Sequence, residues 1–169
     1  MLLVSERGLI EVKLWTVGTS NRSLEEFLGV LEVYRIEVIA DVRRFPTSKH
    51  KHFKQENLKA CLKQSGIAYH HVAELGGYRK GGYTQYMKTA EFEQGLACVE
   101  ELAASKRVAL MCAELLFSQC HRRFIADALK QRGHTVLHIL DDKKSYEHKY
   151  RGKDDKSADR KLDEFLGEE

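Results

Sequence analysis

Five short strand-like runs, each separated from the next by a segment of helical periodicity, constrain this chain more than any other feature. The runs are Lys13–Gly18, Glu37–Val42, Ile67–Val72, Arg107–Cys112 and Thr135–Leu140. Between them, residues 24–34, 57–64, 91–104 and 120–132 repeat apolar side chains at helical spacing. Nearly continuous apolar strands belong to parallel sheets buried on both faces, because crossover helices cover each side. The expected fold is therefore α/β: a single-domain, open, mostly parallel sheet of about five strands with helices on both faces. Strand order does not follow from the sequence.

Local signals agree with this frame. Ser23 and Glu26 stand at capping-box spacing at the head of the first helix. The turn before it, Gly18–Asn21, has neither a dinucleotide fingerprint nor a Walker lysine, so it is expected as a capped strand-to-helix turn. The residues from Gly76 to Tyr83 hold four glycines and are expected to be irregular. Beyond Asp141 the chain turns polar. The expected organisation is an α/β domain over 1–140 and a charged tail over 141–169, with Ala158–Leu166 suited to a short docked helix.

Composition narrows the class. The 169 residues include 43% hydrophobic side chains and no apolar run of membrane-spanning length. The opening residues lack a secretory pattern, and four cysteines without CxxC pairing suit a reducing, cytoplasmic setting. Residues 1–140 carry 20 basic and 15 acidic side chains, against 8 and 10 beyond, so the body is modestly cationic. That balance favours an anionic small molecule as ligand, with nucleic acid as the alternative and no membrane. No cofactor motif is present, and the oligomeric state is not readable.

In open α/β sheets, ligands bind beyond the carboxyl ends of the strands. The polar residues expected there are Ser20, Asn21 and Arg22 after the first strand, and Asp41 and Arg43 after the second. Gly76, Gly77 and Arg79 follow the third strand; Cys112, Glu114, Cys120, His121 and Arg122 follow the fourth. With Ser118 as the expected N-cap, the fourth long helix opens on Cys120, His121, Arg122 and Arg123, with no carboxylate. A helix start carries partial positive charge, so this opening calls for an anion and would lower the pKa of Cys120. The competing reading has the arginines pairing elsewhere and the cysteine merely buried. Asp41 and Glu114 are candidate acid–base groups, or polar residues of ordinary loops. Cys112, Glu114, Cys120 and His121, even with His50 and His52, match no standard zinc spacing, so no metal is assigned. Tyr78, Tyr83 and Tyr86 beside Arg79 and Lys80 could stack on bases from a mobile loop, or fold onto the core.

The motifs Thr16–Phe27, Asp41–Pro46, Glu74–Gly77, Met111–Glu114 and Cys120–Arg122, in that order, resemble the domain-of-unknown-function 488 family over about Leu14 to Leu140. The chain departs from that pattern after Cys-Ala-Glu, where Leu115–Phe117 replaces a frequent proline. The resemblance implies the α/β pattern and supports this choice of site residues, without naming a reaction.

Three functions accommodate these residues. The first is an enzyme, a hydrolase or group transferase, on a phosphorylated or nucleotide-like substrate. Arg22, Arg43 and Arg122 would hold the anion, Asp41 and Glu114 would supply acid–base or nucleophilic function, and Cys120 and His121 would shape the helix-terminal site. The second is a nucleic-acid-binding module using the same basic edge and the tyrosine loop. The third is a thiol or metal-dependent protein centred on Cys112 and Cys120.

Overall fold

The computed structural model describes residues 10–150. The segment expected as a docked helix, Ala158–Leu166, lies outside the described residues. The strands are β1 (Lys13–Gly18), β2 (Val38–Asp41), β3 (Ala68–His71), β4 (Val108–Cys112), β5 (Thr135–Ile139) and β6 (Ser145–Glu147). They form one sheet in the order β3-β2-β4-β1-β5-β6, parallel through the first five, with β6 antiparallel on the β5 edge. The helices are α1 (Leu24–Val33), α2 (Gln55–Gln64), the single turn α3 (Tyr83–Tyr86), α4 (Ala90–Ala103) and α5 (Arg122–Gln131). Among the described residues no helix is long and apolar enough to cross a membrane.

The alternation of strand side chains builds two apolar layers. Trp15, Val17, Ile39, Ala109 and Met111 face α1 and α2 and pack with Phe27, Leu31, Leu58 and Leu62. Leu14, Ala40, Leu110 and Cys112 face the other layer, with Phe92 and Leu96 of α4 and Ile125 and Leu129 of α5. The parity that sends Leu14 and Val136 to the α5 side also sends Thr16 and His138 there, and these two are register partners. Three polar strand residues, Thr16, His138 and Cys112, therefore share one buried face.

Most boundaries fall within two residues of expectation, and the capping box forms as read, with Ser23 Oγ accepting from the Glu26 amide at 3.1 Å. Two features differ. The sheet continues past Leu140: β6 returns antiparallel, and the His148 amide donates to the Val136 carbonyl at 2.8 Å. The helix expected from Cys120 starts instead at Arg122, with His121 as N-cap, while Phe117–Gln119 forms a separate 3-10 turn. The reason is Cys120, whose extended backbone (φ −145°, ψ 168°) interrupts the two and turns its sulfur toward the helix.

Gly18 joins β1 to the site. A Cβ there would sit 1.8 Å from the Glu114 carbonyl oxygen and 2.9 Å from the Leu115 Cα. These contacts are all backbone atoms, which cannot rotate away, so Gly18→Ala is expected to lose about 3 kcal/mol of stability. Denaturant unfolding checks this; a midpoint equal to wild type would show that the two loops are not in contact.

Candidate functional site

The site is built where β4 ends and α5 begins. Cys112 closes β4, Ala113–Gln119 crosses the sheet end, and Cys120 leads into α5. The two sulfurs lie 3.1 Å apart, both cysteines are free, and both are buried. A disulfide would bring them to ~2.05 Å, so about 1 Å of approach separates the two states.

Arg122 organises the pair. It is among the largest fully buried side chains, at 0% exposure. Its Nε donates to Cys120 Sγ at 3.2 Å and its backbone amide to the same sulfur at 3.3 Å. Nη2 donates to the carbonyls of Glu114 (2.6 Å) and Leu115 (3.2 Å), and Nη1 to Thr16 Oγ1 at 3.2 Å. The place at the head of α5 expected to hold an external anion is thus filled by the sulfur of Cys120. Burial pushes the Cys120 thiol up, but the Cys112 hydrogen bond, the Arg122 guanidinium and His121 together hold it well below the ordinary thiol value. Burial and the neighbouring Cys120 push Cys112 well above it. Both Arg122 donors to the pair reach Cys120 Sγ, so the charged form is favoured on Cys120 over Cys112. His121 donates from Nε2 to the Val42 carbonyl at 2.9 Å, and burial lowers its pKa.

The other expected residues have other occupations. Asp41 is fully buried and held by Arg43 through Nε (2.9 Å), Nη2 (2.8 Å) and the backbone amide (3.1 Å), with the Tyr69 hydroxyl donating at 2.6 Å. Arg43 Nη1 ties the Phe53 and Thr47 carbonyls. Arg22 donates to the Gly18 and Leu140 carbonyls, and Arg79 to those of Gly76 and Ala73. Ser20 donates its amide to the Ala113 carbonyl, and Asn21 is exposed. Glu114 meets Arg122 through its carbonyl while the residue is exposed. Gly76 and Gly77 are buried, and a Cβ on Gly76 would lie 2.6 Å from the Arg44 Cα. Of the three loop tyrosines, Tyr83 and Tyr86 are in the core, donating to the Leu75 and Glu74 carbonyls; Tyr78 is exposed.

Sequence reasoning missed Thr16, His138, His148 and Asp127, which join this site from behind. Thr16 Oγ1 and His138 Nδ1 are 2.6 Å apart, His138 Nε2 and His148 Nδ1 are 2.9 Å apart, and His148 Nε2 and Asp127 Oδ1 are 2.6 Å apart. Phe117 stacks on the His138 ring at 3.5 Å. The only advance signal was a threonine and a histidine at inward positions of apolar strands. Among the described residues, no three His, Cys, Asp or Glu are grouped to hold a metal.

No curated protein and no solved structure matches the chain. The family described as "Domain of unknown function DUF488" matches residues 23–129, well over half of the chain and including Asp41, Cys112, Cys120 and Arg122, and the chain belongs to that family.

Proposed function

We propose that this protein is a thiol-dependent redox enzyme in which Cys120 is the nucleophile and Cys112 the resolving thiol. The observation that carries this is the 3.1 Å sulfur pair with the buried Arg122 guanidinium on Cys120. A thiolate, not a thiol, attacks sulfur, and a nearby cation favours the thiolate.

The step balances without a further reagent. Cys120 thiolate attacks one sulfur of a substrate disulfide, the S–S bond breaks, and the first thiolate leaves. Cys112 then gives its proton to that departing thiolate and attacks Cys120 Sγ, expelling the second substrate thiolate. The substrate disulfide is reduced to one thiol and one thiolate, which takes its proton from solvent, and the protein's thiol–thiolate pair is oxidised to a Cys112–Cys120 disulfide. For a substrate to reach Cys120, the Ala113–Gln119 segment must open; it carries the exposed side chains of Leu115 and Leu116.

The hydrolase or transferase reading on a phosphorylated or nucleotide-like substrate has less support. Arg22, Arg43, Arg79 and Arg122 each already donate to protein acceptors, so an incoming phosphate would have to displace them. Nucleic-acid binding through stacked tyrosines likewise retains only Tyr78 as an exposed ring in its loop.

The test uses oxidised glutathione on the reduced protein. Wild type is expected to lose two hydrogens and yield a Cys112–Cys120 cross-linked peptide. Cys112→Ser should instead trap a glutathione mixed disulfide on Cys120, and Cys120→Ser should form neither species. Modification confined to Cys61 and Cys98 in all three proteins would sink the reading.

A further inference from the structure

Four of the residues behind the thiol pair form a single buried hydrogen-bonded string that ends on Arg122. It runs from Asp127 through His148 and His138 to Thr16, with successive separations of 2.6, 2.9 and 2.6 Å, and then 3.2 Å to Arg122 Nη1. His138, His148 and Thr16 are buried, whereas the Asp127 side chain is 23% exposed.

With both imidazoles neutral, the two ends dictate where every proton sits. Arginine can only donate, and an ionised aspartate can only accept. Arg122 donates to Thr16 Oγ1, so the Thr16 hydroxyl proton turns to His138 Nδ1. His138 then carries its proton on Nε2 and donates to His148 Nδ1. His148 in turn donates from Nε2 to Asp127. Every member is satisfied with both imidazoles neutral, in agreement with His138, whose pKa is lowered by burial, His148 and Arg122 to about 2.

The direction has a consequence at the sulfur. Were the His138 proton on Nδ1 instead, Thr16 would accept from both His138 and Arg122, and its own proton would have no acceptor in the string. The Asp127 carboxylate prevents this by selecting the His148 tautomer, which selects that of His138. With Nη1 anchored and Nη2 on the Glu114 and Leu115 carbonyls, the planar guanidinium has Nε left for Cys120. Phe117, midway between the cysteines, stacks on His138 and ties the same loop to the string.

We infer that Thr16, His138, His148 and Asp127 are positioning residues that hold Arg122 in the orientation that stabilises the Cys120 thiolate. This rests on the thiolate reading above. It also assigns a role at the site to residues on either side of the β5–β6 hairpin, which delivers His148. Other ionisable groups facing Cys120 are Cys112 from β4, His121 before α5 and Tyr83 from α3.

The test follows thiolate ultraviolet absorbance against pH in reduced, full-length protein, counting only the signal that Cys120→Ser abolishes. Asp127→Ala and His148→Leu are expected to raise the Cys120 titration by about one pKa unit, a tenfold drop in thiolate on the acid side. His148→Gln, whose amide keeps one donor and one acceptor, should stay nearer wild type. Removing the Asp127 charge would by Coulomb's law alone favour the thiolate, so its sign separates the string from a bare field effect. Asp127 is on the helix surface and alanine favours helix, so this variant keeps the fold accessible even where His148→Leu does not. A depressed wild-type titration with unmoved variants, or a downward shift in Asp127→Ala, overturns the string's role and leaves the thiolate reading standing. An ordinary wild-type titration overturns both.

Discussion

Arg122→Met is expected to lower stability by about 3–5 kcal/mol, because it strips the counter-charge from a buried pair and leaves its acceptors without donors. For a chain of this length that is a fall in Tm of roughly 6–20 °C. The acceptors are specific: the Cys120 sulfur, the Glu114 and Leu115 carbonyls and Thr16 Oγ1, all within 3.2 Å of the guanidinium. Part of the loss is softened because Cys120 can take up a proton once the cation is gone. Its titration should then rise from the wild-type position, because burial is opposed only by the Cys112 hydrogen bond, His121 and the backbone amide of residue 122.

The pH dependence carries a sign of its own. Cys120 is depressed in the folded state, so its contribution is complete above the unfolded thiol's pKa and declines as pH falls through the folded value. Cys112 is raised, so its contribution is complete below the unfolded pKa and declines as pH rises through the folded value. Wild-type stability should therefore gain an acid-side slope from Cys120 that Arg122→Met loses. Denaturant melts across pH measure it. A variant that keeps both the wild-type midpoint and the wild-type slope would show that Arg122 does not carry the thiolate.

The second large effect lies at the end of β2. Asp41 is at 0% exposure and Arg43 at 6%, joined by two side-chain contacts of 2.8 and 2.9 Å. Arg43→Met would leave a carboxylate without its partner and free the Phe53 carbonyl, a loss of about 3–5 kcal/mol. Adding Asp41→Asn removes the stranded charge and should recover a substantial part of that. The double-mutant cycle is the measurement, because coupling within one network should reach about 0.5–3 kcal/mol. Additive losses would show that the ion pair is not a unit.

This pair illustrates how far residue type alone could go. Asp41 beside Arg43 at a strand end is equally the pattern of an acid–base site and of a structural knot. What distinguishes them is Tyr69 on β3, which brings a fourth donor to the carboxylate, and the Phe53 carbonyl, which claims the far end of the guanidinium. The cationic head of α5 was legible because its first turn carries arginine and no carboxylate. Its occupant was not, since a cysteine in extended backbone can turn its own sulfur onto the helix.

Near neighbours along the chain were enough for the local features. Strand-like runs alternating with helical segments specified the α/β class, Ser23 and Glu26 capped α1, and the ordered motifs marked the family. The tertiary structure alone decided the company each polar residue keeps. Thr16 meets His138 across 122 positions and Arg122 across 106. The strand order that places β1 between β4 and β5 creates both contacts. Burial then turns proximity into chemistry, because a guanidinium removed from water must spend every donor on the protein, and a sulfur it meets is biased toward the charged form.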